Sequence, residues 1–143
     1  MRYYITDSAG NRVTADGAGF LERVETLTAD KTLTVEDSGK TFLLDAIGEV
    51  ITLPSLASGL SFKFKVIAAT ATSDWTIVSA TNVIEGYADV NYATIPAVNE
   101  NTISLVSTKA IAGDEVSLIC DGTSWHANGV GSASGSITFT APA

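Results

Sequence analysis

The chain has one cysteine, one histidine, one methionine and three prolines in 143 residues. A single cysteine cannot form an internal disulfide, so the fold is not a small secreted scaffold held by staples. One histidine and one cysteine also fall short of the ligand set of a zinc site, and no D-x-D-x-D-G calcium loop occurs. Basic residues are scarce: eight Lys and Arg stand against sixteen Asp and Glu, a formal net charge of −8. That balance opposes binding to phosphate backbones and to anionic membrane surfaces, so neither nucleic acid nor membrane is an expected partner. The longest apolar run, Val66 to Ala69, is too short to span a bilayer. The N-terminal stretch MRYYITDSAGN lacks the apolar centre of a signal peptide, and synthesis in the cytoplasm is the expectation.

What is abundant is alternation. Phe62, Phe64 and Val66 alternate with Ser61, Lys63 and Lys65. Val116, Leu118 and Cys120 alternate with Ser117 and Ile119, and Ile103 and Leu105 with Thr102 and Ser104. A period of two, rich in Thr, Val and Ile, marks half-buried strands. Turn signals separate the runs: DSAGN at 7–11, EDSGK at 36–40, LPSLASG at 53–59 and DGTS at 121–124. Strands are predicted at 2–6, 11–14, 22–28, 31–36, 40–45, 49–53, 60–69, 74–80, 83–86, 102–107, 115–120, 124–129 and 135–140. The expected class is all-β, an antiparallel sandwich, jelly roll or irregular barrel with little or no helix. Residues 1–21 read as an N-terminal arm with a small hairpin, and 22–143 as the sandwich domain. Residues 86–101 break the alternation and read as a long polar loop carrying Tyr87 and Tyr92. No internal repeat stands out.

The motifs that suggest chemistry weaken on inspection. DSGKT at 37–41 ends like a phosphate-binding loop, but Thr34 occupies the place of its first glycine and a strand follows it, not a helix. GSASG at 131–135 has the glycines of a nucleophile elbow around Ala133, which is no nucleophile. The carboxylate pairs Glu36-Asp37 and Asp114-Glu115 are adjacent on the chain and point to opposite faces of a strand. Asp30, Asp37, Asp74, Asp114 and Asp121 fall at strand ends, where turn and solubility roles suffice.

ICDGTSWHANG at 119–129 brings the only cysteine and histidine together. If Gly122 and Thr123 form the hairpin tip, Cys120 faces Trp125 and Ile119 faces His126. Cys120 and Trp125 then share the core side, and His126 lies on the other. The dyad is broken by the pleat, so no catalytic residue, cofactor site or metal site is assigned.

Four segments together resemble a recurring module of tailed-bacteriophage virion proteins: TLTVEDSGKTFLLDA, ITLPSLASGLSFKFKV, TIVSATNVIEG and GDEVSLICDGTSWHANG. The resemblance covers roughly residues 27–140 and implies a capsid decoration (head cement) protein. Such a protein trimerises on the outer surface of the phage head and clamps the major capsid protein lattice. It would be a structural protein of the virion and not an enzyme, with no cofactor, and Trp125 would anchor its core. On that reading the arm segment Arg2, Tyr3, Tyr4, Ile5 and Thr6 adds a strand to a capsid-protein edge, and an acidic body facing outward does not compete with packaged DNA. The alternative is a tail fibre, spike or baseplate module that trimerises and binds host surface glycans, with Tyr87 and Tyr92 stacking on sugars. A cell-wall hydrolase has the least support.

Overall fold

A computed structural model describes residues 4–6, 9, 12–14, 23–69 and 73–141. Near the N-terminus, β1 (Tyr4–Thr6) pairs antiparallel with β2 (Arg12–Thr14), so the hairpin expected in the arm is present. Tyr4, Ile5 and Thr6 are its first strand, while Arg2 and Tyr3 lie outside the described residues.

From Val24 onward the chain winds between two layers. β3 (Val24–Leu27), β5 (Thr41–Leu44) and β7 (Ser61–Val66) lie side by side in one sheet. β4 (Lys31–Thr32), β6 (Val50–Thr52) and β8 (Trp75–Val78) lie side by side in the other. Each of these neighbouring pairs is parallel. The second half returns in hairpins: β9 (Ile84–Val90) with β10 (Ala93–Glu100), and β12 (Glu115–Cys120) with β13 (Trp125–Gly131). β11 (Thr102–Leu105) and β14 (Ile137–Thr140) extend the second sheet. The result is a seven-stranded sheet, β10-β9-β13-β12-β7-β5-β3, packed on a five-stranded sheet, β14-β11-β8-β6-β4. The all-β sandwich is as expected, and no barrel closes. The sheets are mixed, however, and not purely antiparallel, because side-chain alternation specifies a face and not the direction of the neighbouring strand.

The wound half also repeats in geometry where no repeat was visible in sequence. Leu33 and Leu53 both turn inward after the paired residues Thr32 and Thr52, and their N–H groups donate to Thr52 O and Val78 O at 2.8 Å each. Each corner then closes on a glycine with positive φ, Gly39 (86°) and Gly59 (94°), a conformation that costs L side chains about 1 kcal/mol or more. Residues 33–36, expected to continue a strand, instead enter a short 3-10 turn, Val35–Asp37. Asp37 ends that turn and its Oδ2 accepts the Thr34 N–H at 3.0 Å.

Residues 86–101 require a larger correction: they belong to the β9–β10 hairpin, not to a loop. Asn91 and Tyr92 sit at φ 45° and 67°, the left-handed pair that a two-residue hairpin turn needs. The strand period was hidden because the inward positions hold small residues, Gly86 and Ala88. They are small for a reason: a Cβ on Gly86, at φ 128°, would lie 2.0 Å from the Ala127 carbonyl oxygen. Pro96 is tolerated because β10 is an edge strand.

Between the layers, Phe42 and Phe64 stack with centroids 5.6 Å apart, and Phe62 meets Trp125 at 5.7 Å. Ile51, Trp75, Ile77, Ile103, Leu105 and Ile137 oppose them from the second sheet, all fully buried.

Candidate functional site

The β12–β13 turn has the register expected of it: Cys120 pairs with Trp125 and Ile119 with His126. Cys120 and Trp125 are buried, while Ile119 and His126 face outward. The cysteine and histidine therefore do not form a dyad. A different partner was missed. His126 Nε2 lies 2.8 Å from Asp121 Oδ2, and Asp121 Oδ1 accepts the N–H groups of Thr123 and Ser124, at 2.8 Å each. The His126 contact and these backbone bonds hold the Asp121 carboxyl far below the usual carboxylate range. The signal was the D-x-T/S spacing of the turn, in which a carboxylate bonds backbone two and three residues on. The Thr123 hydroxyl also donates to Asp121 Oδ1, at 2.8 Å, and the geometry is that of a turn clasp.

The same use recurs at the other strand-end aspartates. Asp30 accepts from Val50 N–H at 2.8 Å and Asp74 from Ser107 N–H at 2.7 Å. Buried Asp114 accepts from Ile111 N–H at 3.1 Å and Ser132 N–H at 2.9 Å, joining two loops. Much of the acidic excess thus serves as hydrogen-bond acceptors for backbone that no ladder reaches. Adjacent Glu36 and Asp37 do not converge, since Asp37 is buried and Glu36 exposed. Among the described residues no group of three or more His, Cys, Asp and Glu side chains is placed to hold a metal ion. No helix among them is long and apolar enough to cross a membrane.

Asp37 belongs to a four-membered charge network drawn from three segments. Lys40 Nζ lies 2.7 Å from Asp37 and 2.9 Å from Glu25, and Lys31 Nζ 2.8 Å from Glu25. Burial alone would raise the Asp37 pKa, but the Lys40 hydrogen bond, the Thr34 N–H and the Lys31 charge outweigh it and hold the carboxyl low. Glu25 is held low by its bonds from Lys31 and Lys40. The network covers the rim of the core beside Phe42, over which Lys31 Nζ sits 5.9 Å from the ring centroid.

The main concavity lies on the outer face of the seven-stranded sheet. Register places Thr41, Lys63, Ser117 and Asn128 in one row across β5, β7, β12 and β13, and Ser61, Ile119 and His126 in the next. These side chains, with Gly39 and Lys40, line a shallow depression of about 400 Å³ that contains no carboxylate. The strand residues among them were legible as outward positions of their own strands; their convergence depends on the order of four strands.

Three of the segments singled out in the sequence meet at one end of the same sheet. Gly39 N–H donates to Ser61 O at 2.8 Å, joining the first corner to the start of β7. Gly59 N–H donates to Cys120 O at 2.9 Å, and Cys120 N–H to Leu60 O at 2.8 Å, joining the second corner to the β12–β13 turn. DSGKT, LPSLASGLSF and ICDGTSW are therefore one hydrogen-bonded unit, with Trp125, fully buried, beneath it.

Compared with protein-family models, curated proteins and solved structures, the chain gives no match.

Proposed function

We propose that this chain is a decoration protein of a tailed-phage head, which binds the outer surface as a trimer and stabilises the major capsid protein lattice. The observation that carries the reading is the convergence of the resembling segments. Distant in sequence, three of the four form a single bonded end of the sandwich, as expected if the module is a unit of structure and not a chance string of turns. A sandwich with a well-buried core and a further two-stranded sheet near the N-terminus suits a clamp: the core fixes the body, and β1 offers a strand for addition to a partner sheet. The proposed capsid contacts are Arg2, Tyr3, Tyr4, Ile5 and Thr6.

The test uses purified chain and expanded, undecorated heads assembled from a tailed-phage major capsid protein. Sedimentation equilibrium should give a trimer, and cryo-electron microscopy should show added density on the outer head surface. Deleting residues 1–6 should abolish head binding without lowering the melting temperature of the free protein. A monomer that leaves heads bare overturns the proposal; density on tails instead of heads selects the fibre or baseplate reading.

A further inference from the structure

We infer that the depression on the outer face of the seven-stranded sheet binds a saccharide bearing a single carboxylate. Part of its polar lining is uncommitted. Lys63 Nζ has no ion-pair partner among the described residues, and the hydroxyls of Thr41, Ser61 and Ser117 make no hydrogen bond within them. The other charges nearby are engaged: Lys40 by Asp37 and Glu25, Lys65 by Glu115 at 3.6 Å, and Asp121 by His126. Glu85, next to His126 in register, accepts the Asn99 N–H at 3.2 Å. At this face of a chain of net charge −8, Lys63 is thus a free ammonium, flanked in register by the hydroxyls of Thr41 and Ser117, in a depression lined by no carboxylate. Its volume of about 400 Å³ is in the range of small-molecule sites.

The fold decides between ligand classes. An extended peptide binds β structure by adding to an edge, where main-chain groups are free. Here the floor is β7, β12 and β13, each hydrogen-bonded to a neighbour on both sides. A ligand on this floor meets side chains and no free ladder groups, and hydroxyl and amide side chains suit a polyol. Lys63 would take the carboxylate, with Ser117 and Asn128 bonding ring hydroxyls. Ile119, 56% exposed, supplies an apolar wall for the C–H face of the sugar. Tyr87 extends it, its Oη accepting from Asn128 Nδ2 at 3.4 Å. A single cation is too little for a polyphosphate or nucleic acid. This site is independent of the virion role proposed above, and neither result decides the other.

Amide-resolved NMR titration of the full chain with sialyllactose and glucuronate, each bearing one carboxylate, with lactose as the neutral control, tests the inference. Saturable shifts at Ser61, Lys63, Ser117 and Asn128 are expected, with lactose weaker by roughly tenfold, the value of one charge-assisted hydrogen bond. Lys63→Gln should erase that difference and leave the melting temperature unchanged, and Ser117→Ala should weaken both acidic sugars. Absence of shifts at millimolar acidic sugar overturns the inference, as does equal binding of lactose. Tighter binding of a polyglutamate peptide at the same residues would assign the site to a protein partner and overturn the saccharide reading.

Discussion

Between Val24 and Val78 successive strands alternate between the two sheets and pair in parallel, whereas between Ile84 and Thr140 two hairpins and two further strands pair mainly antiparallel. Each half contributes one fully buried tryptophan. In the wound half, Trp75 Nε1 donates to the Asp45 carbonyl at 3.0 Å across a crossover. In the hairpin half, Trp125 Nε1 is buried without an acceptor among the described residues. Crossovers carry backbone that no ladder serves, and the wound half meets that need with buried polar contacts. The hairpin half also uses a buried acceptor, Asp114, where its longer loops meet. Its two hairpins, however, close in tight turns, and its packing relies on shape: Trp125 over Phe62, and small residues where β9 and β13 approach.

The comparison can be broken at several points. The largest effect should come from Trp125→Ala, about 3–5 kcal/mol in denaturant unfolding, because the whole side chain is lost from a close-packed site. Gly86→Ala should cost about 3 kcal/mol or more, since it combines a positive φ with a clash against backbone that cannot yield. Crystal or NMR structures of the variant should show β9 displaced from β13. A small loss would mean that the hairpin half is softer than described.

In the wound half, Asp37→Asn should cost about 2 kcal/mol, since it removes ion pairs to Lys40 and Lys31 at a nearly buried position. It should also reduce the acid sensitivity of the protein. Glu25, Asp30, Asp37 and Asp121 have carboxyls held below their ordinary pKa values. Stability from such groups is complete above the ordinary carboxylate range and is lost as pH falls through their lowered values. Glu49, raised by the hydrogen bond and charge of neighbouring Asp30, works weakly in the opposite sense. Unfolding free energy should thus be nearly flat from neutral pH to about pH 5 and fall below about pH 4.

A finer contrast uses phenylalanine at both tryptophans. Trp75→Phe leaves the Asp45 carbonyl without its donor, whereas Trp125→Phe removes an N–H that had no acceptor. Trp75→Phe should therefore be the costlier by about 1 kcal/mol. Smallest of all, His126→Ala should leave the denaturation midpoint nearly unchanged, because His126 and its partner Asp121 are both about half exposed.

What could be read from residues alone follows the same division. β7, β12 and the start of β13 were legible because Phe62, Phe64, Leu118 and Trp125 stand at strict alternation beside Gly-containing turns. The tip at Gly122-Thr123 was enough to set the pairing of Cys120 with Trp125. The parallel winding was not legible, since period two is the same whichever strand lies alongside. β9 and β10 were concealed by Gly86 and Ala88, whose small size answers to Ala127 and Gly129 across the ladder. The Glu25, Lys31, Asp37 and Lys40 network and the Lys63 depression were hidden for a simpler reason. Each takes residues from several strands whose order no local pattern records.

The most direct test of the virion role is the thermal stability of expanded heads with and without the added chain. A ligand that binds the native lattice and not the released subunits must raise its melting temperature with concentration. The proposed decoration role requires that rise, reaching a plateau when the outer surface is saturated, and its loss when residues 1–6 are deleted. Heads that melt at the same temperature at every concentration of the chain would contradict it.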